Sequence, residues 1–246
     1  LTKPPVFYET TIRTAVRSII PDRIESYAGE PMHLRPKPWM KPELDKSPVY
    51  LRDPFRFRGR WHDQFEDPAR PFYIELGCGK GDFISAAAEA HPDANFLGID
   101  MIDTVLAHAN RKVLRDSRAK THVRLTAYDI TRFTDVFSPE DAADGLFINF
   151  ANPWPKRQHH KRRLTHPRQL ENYKSVLKPG GFIRFKTDDD AFFEDSLDYF
   201  DSCGFETVRL SRDARNEGLD IGPETEHERM FFARGIPIKY VEVTLL

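Results

Sequence analysis

From Phe72 onward the chain alternates short runs of aromatic and branched apolar residues with segments of helical composition, and few architectures accept that order. Strands are expected at Phe72–Leu76, Asn95–Asp100, Val123–Ala127, Phe147–Phe150, Phe182–Thr187, Glu206–Leu210 and Ile238–Thr244. Between them the sequence predicts helices at Phe83–Ala90, Ile102–Arg115, Pro167–Val176, Ala191–Ser202 and Thr225–Arg234, with a shorter helical piece near Thr131–Phe137. His91-Pro92, Lys178-Pro179-Gly180-Gly181 and Gly204 supply the stops. Strands separated by helices return parallel and are covered on both faces. The expected fold is therefore α/β, a mostly parallel seven-stranded sheet with helices on both faces. Ligands of such sheets sit beyond the carboxyl ends of the strands, where strand order reverses. A glycine loop after the first strand, Asp100, Asp129 and Asn152 all fall at such ends and are expected to share one rim.

The first 71 residues obey other rules. They hold eleven of the nineteen prolines, interleaved with Arg, Lys and aromatics as in Arg35-Pro36-Lys37-Pro38-Trp39. Proline this dense prevents long helices, and charge this high leaves little to bury. Residues 1–33 are expected to be a disordered N-terminal extension, and 34–71 an irregular Pro-rich arm packed on the domain of 72–246. Each is readable as a plain tail or as an arm that contacts RNA or covers a cofactor.

Bulk properties narrow the class. No run of eighteen apolar residues exists, so no membrane span is expected. The polar, Pro-rich start lacks an apolar signal segment, and opening on Leu1 rather than Met points to a trimmed start. Cys78 and Cys203 are the only cysteines, with neither a disulfide framework nor a zinc motif, which fits a reducing cytoplasm. Net charge is −1, yet a local basic patch still attracts phosphate, because that attraction acts over about a Debye length, roughly 8 Å.

Gly77-Cys78-Gly79-Lys80-Gly81 removes Cβ atoms at alternate positions, which lets a ligand approach the backbone. Glu75 precedes it, and the next strand ends in Gly98-Ile99-Asp100, where a carboxylate accepts bonds from ribose hydroxyls. Tyr128-Asp129 follows the third strand, placed to reach an adenine amino group. As a set on one rim, Glu75, Gly77, Gly79, Asp100 and Asp129 point to an adenosine cofactor. The fourth strand runs into Asn152-Pro153-Trp154-Pro155, a corner held extended by its prolines. Lys156, Arg157, Lys161, Arg162 and Arg163 then place five positive charges in eight residues, either a solvated loop or a contact to a phosphate backbone. Trp154 is suited equally to stacking a base and to packing the corner. His159 and His160 are adjacent and lack the same-face spacing of a metal pair, so no metal is expected. In Asp188-Asp189-Asp190, the last two acids suit the start of the following helix.

With the Leu177-Lys178-Pro179-Gly180-Gly181 turn before the fifth strand, the rim residues resemble the S-adenosyl-L-methionine-dependent methyltransferases of the Rossmann-like class I. The run from Asn149 to Thr165, Asn-Phe-Ala-Asn-Pro-Trp-Pro-Lys-Arg-Gln-His-His-Lys-Arg-Arg-Leu-Thr, resembles the signature of the bacterial tRNA (guanine-N(7)-)-methyltransferases. Phe185-Lys186-Thr187-Asp188 and Thr225-Glu226-His227-Glu228 match two further elements of that family, and similarity runs from about Arg35 to Val243. The resemblance implies transfer of a methyl group from S-adenosyl-L-methionine to N7 of the variable-loop guanine of tRNA, usually nucleotide 46. It implies Glu75, Asp100 and Asp129 as cofactor ligands and Asn152 as both cofactor contact and catalytic position. Lys156, Asp188, Thr225, Glu226, His227 and Glu228 are implied as contacts to the target guanine. Arg157, His160, Lys161, Arg162 and Arg163 are implied as contacts to the tRNA backbone. A cytoplasmic enzyme is expected, monomer or homodimer, without an obligate protein partner or a membrane.

One departure stands in the signature: the family has Asp-Pro-Trp where this chain has Asn152-Pro153-Trp154. Two other readings therefore accompany the first. An exocyclic-amine methyltransferase carries an Asn/Asp-Pro-Pro-aromatic corner after its fourth strand, which Asn152-Pro153-Trp154-Pro155 partly resembles. A tRNA-binding homologue impaired at Asn152 is the second.

Overall fold

Strands buried on both faces read as unbroken apolar runs rather than alternating ones, and the centre of this sheet is made that way. The computed structural model describes residues 37–116 and 118–245; the reading of residues 1–33 lies outside them. In chain order the elements are α1 (Met40–Lys46), β1 (Tyr50–Leu51), β2 (Phe72–Leu76), α2 (Asp82–Ala90), β3 (Asn95–Asp100), α3 (Asp103–Val113), α4 (Ala119–His122), β4 (Val123–Ala127), β5 (Ala143–Asn149), α5 (Pro167–Lys174), β6 (Leu177–Thr187), α6 (Asp190–Ser202), β7 (Phe205–Ser211), α7 (Glu226–Ala233) and β8 (Lys239–Leu245). Short 3-10 turns at Pro54–Phe57, His62–Gln64, Ile130–Asp135, Pro139–Asp141 and Arg157–Arg162 fill the connections.

The strands form one sheet in the order β1-β4-β3-β2-β5-β6-β8-β7. Every pairing is parallel except those of β8, which runs antiparallel to β6 and β7. The order reverses between β2 and β5: β2 pairs with β3 on one side and β5 on the other. The crevice expected for a ligand thus lies at the ends of Leu76 and Asn149. Phe72, Ile74 and Leu76 of β2 and Leu146 and Ile148 of β5 are fully buried in a cluster with Phe185, Phe192 and Phe193. Burying an aliphatic or aromatic side chain stabilises by roughly 1.5–3 kcal/mol, so this cluster fixes where the two strands end.

All seven expected strands are present, and an eighth joins them from the Pro-rich arm. The arm is less irregular than its composition implies. It contributes α1, whose Met40 and Leu44 pack on Ala107 of α3, and β1, which pairs with β4 through Tyr50 and Leu51. Thr126 Oγ1 donates to the Leu51 carbonyl at 2.7 Å, tying the short strand down. Two residues between Pro48 and Asp53-Pro54 are too short a signal for periodicity to detect. Farther along the arm, Trp61 is fully buried, and its indole Nε1 donates to the Val136 carbonyl at 2.9 Å.

Candidate active site

The end of β2 turns back on itself through glycine. Gly77, Gly79 and Gly81 all have positive φ, and Gly81 caps α2 in the left-handed conformation. A Cβ on Gly81 would stand 2.9 Å from the Ala109 backbone of α3, so only glycine allows this approach. At Gly79 nothing lies within 4 Å of where a Cβ would stand, which leaves the loop's crest open to an incoming group. Asp100 braces the loop: its Oδ2 accepts the Gly79 N–H and its Oδ1 the Ile102 N–H, both at 3.0 Å. Burial pushes the Asp100 carboxyl above its ordinary range, and those backbone donors pull it back down. Asp129 closes the same side, its Oδ1 capping the following turn by accepting from the Thr131 N–H and hydroxyl.

Glu75 lies beneath the loop, buried, and accepts from Asn149 Nδ2 at 3.0 Å across the β2–β5 junction. Its Oε2 and the Asn149 Oδ1 make no hydrogen bond at normal distance and angle among the described residues. Burial lifts the Glu75 pKa to about 8, against the opposing pull of Asn149 and Lys186. Two buried oxygens without a partner are what a hydrogen-bonding ligand group satisfies.

Across the crevice, β5 gives way to a corner of unusual backbone. Phe150 and Trp154 both hold positive φ, 52° and 43°, a conformation costly for bulky side chains and concentrated at functional sites. Asn152 is exposed, and its Oδ1 accepts the Trp154 N–H at 3.0 Å, closing a side-chain turn. The corner is gripped from beneath by Arg163. That guanidinium is 2% exposed, donates from Nε to the Pro153 carbonyl at 2.7 Å, pairs with Asp195 and lies 5.0 Å over the Phe192 ring.

The third wall is α7. Thr225 and Glu228 form its capping box, the hydroxyl accepting the Glu228 N–H and the carboxylate accepting the Thr225 N–H. Glu228 Oε1 also accepts from Lys186 Nζ at 2.9 Å, and both side chains are 1% exposed. Burial lowers the Lys186 pKa, while Glu228 and Glu75 raise it. Lys186 therefore connects β6 to α7 within electrostatic reach of Glu75. Outside this pair, Lys80 of the glycine loop reaches Glu226 at 3.5 Å, and His227 stacks on Phe150.

The expected site residues differ in how far their side chains are free to meet a ligand. Glu75, Gly77, Gly79, Asp100 and Asp129 stand at or just past the carboxyl ends of β2, β3 and β4. Asp188 lies within electrostatic reach of His227, Glu226 precedes His227 on α7, and Asn152 and Lys156 are exposed on the corner after β5. Arg163 departs from its expected role: buried and fully engaged inside, it cannot reach a tRNA phosphate. Glu228 and Thr225 depart as well, since the capping box and the Lys186 pair occupy the polar groups expected to meet a base. His160 is partly turned inward, 3.8 Å from Asp195, whereas Arg157, Lys161 and Arg162 are exposed. Asp189 caps α6 by accepting the Phe192 N–H, and Asp190 pairs with Lys239. Sequence reasoning did not single out Asn149 or give Lys186 a role; a polar side chain inside an apolar strand was the available signal. Among the described residues, no cluster of three metal-ligating side chains forms and no helix is long and apolar enough to cross a membrane.

Comparison with known proteins shows what the chain is similar to. Residues 69–241 match a family model described as putative methyltransferase. The chain is 44% identical over 214 residues to a tRNA (guanine-N(7)-)-methyltransferase of Clostridium beijerinckii, spanning 85% of this chain and 97% of that protein. Proteins of the same name from Clostridium perfringens and Acetivibrio thermocellus are each 42% identical, with 85% of this chain and 98% of each relative covered. Among solved structures, the 16S rRNA methyltransferase KamB superposes with a TM-score of 0.52 at 12% identity, over 71% of this chain and 87% of that one. At that identity the likeness concerns the fold alone.

Proposed function

The chain belongs to the tRNA (guanine-N(7)-)-methyltransferase family, and from that premise we propose that it methylates N7 of the variable-loop guanine of tRNA, nucleotide 46, in the cytoplasm. The observation that carries the reading is the meeting of two structures at the strand-order switch: the glycine loop with its acidic partners on β2 and β3, and the Asn152 corner on β5.

S-Adenosyl-L-methionine fits the first of these. Gly77 and Gly79 leave the loop open, Asp100 and Asp129 offer carboxylates for ribose and adenine, and Glu75 offers a buried carboxyl oxygen free to hydrogen-bond. Bound there, the cofactor would supply an electrophilic methyl group to the lone pair of guanine N7. Guanine N7 carries a lone pair and no proton, so the chain needs no general base. Its residues have to align N7 with the methyl and to tolerate positive charge growing on the ring.

Asp188, Glu226 and His227 are suited to the base itself. Burial raises the Asp188 carboxyl pKa, and a carboxylate at this depth accepts from the N1–H and 2-amino edge of guanine. Thr225, Glu228 and Lys186 act at one remove, fixing α7 so that Glu226 and His227 face the crevice. Lys156, Arg157, Lys161 and Arg162 supply phosphate contacts that position the tRNA without reading its sequence. Asn152 keeps an acceptor oxygen but not the charge of a carboxylate, so the reaction is slowed rather than abolished. Incubating unmodified tRNA with labelled cofactor and mapping the nucleosides tests the reading. Alkali- or borohydride-sensitive product is expected. A stable methylamino base, or binding of both ligands without turnover, would overturn it.

A further inference from the structure

Three rings meet at the mouth of the site without joining the main core cluster. Phe150, His227 and Phe231 have centroids 5.7 Å (Phe150–His227), 5.6 Å (Phe150–Phe231) and 6.2 Å (His227–Phe231) apart, the first pair within 16° of parallel. Phe150 and Phe231 are half-buried and His227 is exposed. The cluster exists because Phe150 takes a left-handed backbone conformation, φ 52°, at the point where β5 ends. That strain brings its ring to α7, two residues ahead of Asn152. None of the three rings belongs to the main buried cluster.

We propose that Phe150, His227 and Phe231 form the stacking platform for the target guanine, and that the π faces of the two phenylalanines take up the positive charge methylation places on the ring. The inference rests on the guanine-N7 reading above and adds to it a site for the base. Bases drawn out of an RNA stack are received on aromatic side chains. A neutral purine gains only stacking there. A purine alkylated at N7 is a cation, and the negative face of an aromatic ring attracts a cation as well. The platform therefore holds the methylated base more strongly than the unmethylated one. A contact that strengthens as charge develops lowers the barrier instead of merely tightening binding. Two acids stand close by and favour positive charge on the base: Asp188 is within electrostatic reach of His227, and Glu226 is the neighbour of His227 in sequence.

The test is to measure binding of guanosine 5′-monophosphate and its 7-methyl derivative to the full chain, alongside kcat and KM for tRNA. Wild type is expected to prefer the methylated nucleotide by roughly three- to tenfold. Phe150→Leu retains apolar bulk without a ring and is expected to lose that preference and to lower kcat more than it raises KM. Phe150→Tyr keeps both, and cofactor binding is unchanged throughout. Should Phe150→Leu fail to fold, Phe231→Leu makes the same comparison from α7. Equal affinities in wild type, or a Leu variant that keeps the preference, overturn the platform. A wild type that prefers the methylated nucleotide yet forms no 7-methylguanosine in tRNA supports the platform and removes the proposed activity instead.

Discussion

The two sides of the crevice are held in place by different means. The cofactor side is built on neighbouring central strands, where parallel register sets Glu75 opposite Gly98 and backbone amides set Asp100. The substrate side begins where the sheet stops. There the Asn152 corner and α7 are held by two buried cations, Arg163 on the Pro153 carbonyl and Lys186 on Glu228. Register positions side chains without charge. Once the strands end, buried charge takes over that work, so the first side should be sensitive to added volume and the second to lost charge.

Lys186→Met puts this contrast to its severest test. It leaves Glu228 without its cation at 1% exposure, a change that costs about 3–5 kcal/mol. Urea unfolding is expected to register that loss, and Lys186→Met/Glu228→Gln to recover a large part of it. A single variant losing under about 1 kcal/mol would break the comparison. Asn152→Asp should act on rate instead. A carboxylate can keep the bond to the Trp154 N–H and restores a negative charge, lowering the barrier by about 2–4 kcal/mol. Single-turnover methyl transfer checks this, and a slower Asp variant is the adverse result.

Arg163→Met removes the donor to Pro153 and is expected to cost about 1–3 kcal/mol of stability and to lower kcat. The salt dependence of tRNA binding should stay the same, because the side chain never faced solvent. On the cofactor side, Glu75 tests burial by pH. With its pKa raised from 4.5 to about 8, the folded chain keeps a proton that the unfolded chain releases. The stability this contributes is full below about pH 4.5 and declines as pH rises toward 8. Glu75→Gln should lack that decline, visible as a Tm advantage of a few degrees over wild type at pH 8 relative to pH 5; parallel Tm curves would argue against it. The smallest effect belongs to Arg162→Met. Its exposed guanidinium lies 5.0 Å over the Trp154 ring, and its loss should flatten the log–log salt slope by about 0.7–0.9 with stability unchanged.

The adjacent arginines also mark where sequence reading stops. Both stand in one basic run, and nothing in the order of residues says that Arg163 turns inward while Arg162 stays out. That depends on Asp195 and Phe192, some thirty residues later, being folded beneath the corner. The strands were legible because length, composition and helical spacers repeat from Phe72 onward, and the rim followed from their ends. β1 was not, because two residues carry no period. The glycine loop, Asp100 and Asp129 could be set at strand ends from sequence because each stands at or just past the last residue of a strand. The roles of Thr225 and Glu228 could not be settled, because a helix cap and a base contact call for the same side chains. The left-handed Phe150 left no trace, since phenylalanine has no preference for that conformation.

Asp141, fully buried, accepts the backbone N–H groups of Gly59 at 2.7 Å, Trp61 at 3.0 Å and Ser138 at 3.0 Å. Two of those three donors come from the Pro-rich arm, which also inserts the Trp61 ring. A fragment starting at Phe72 would retain every strand bordering the crevice, yet it would contain a hole the size of an indole beside a carboxylate stripped of most of its donors. The piece that can be inherited, swapped or fused intact therefore has its border ahead of Gly59, well upstream of the first central strand.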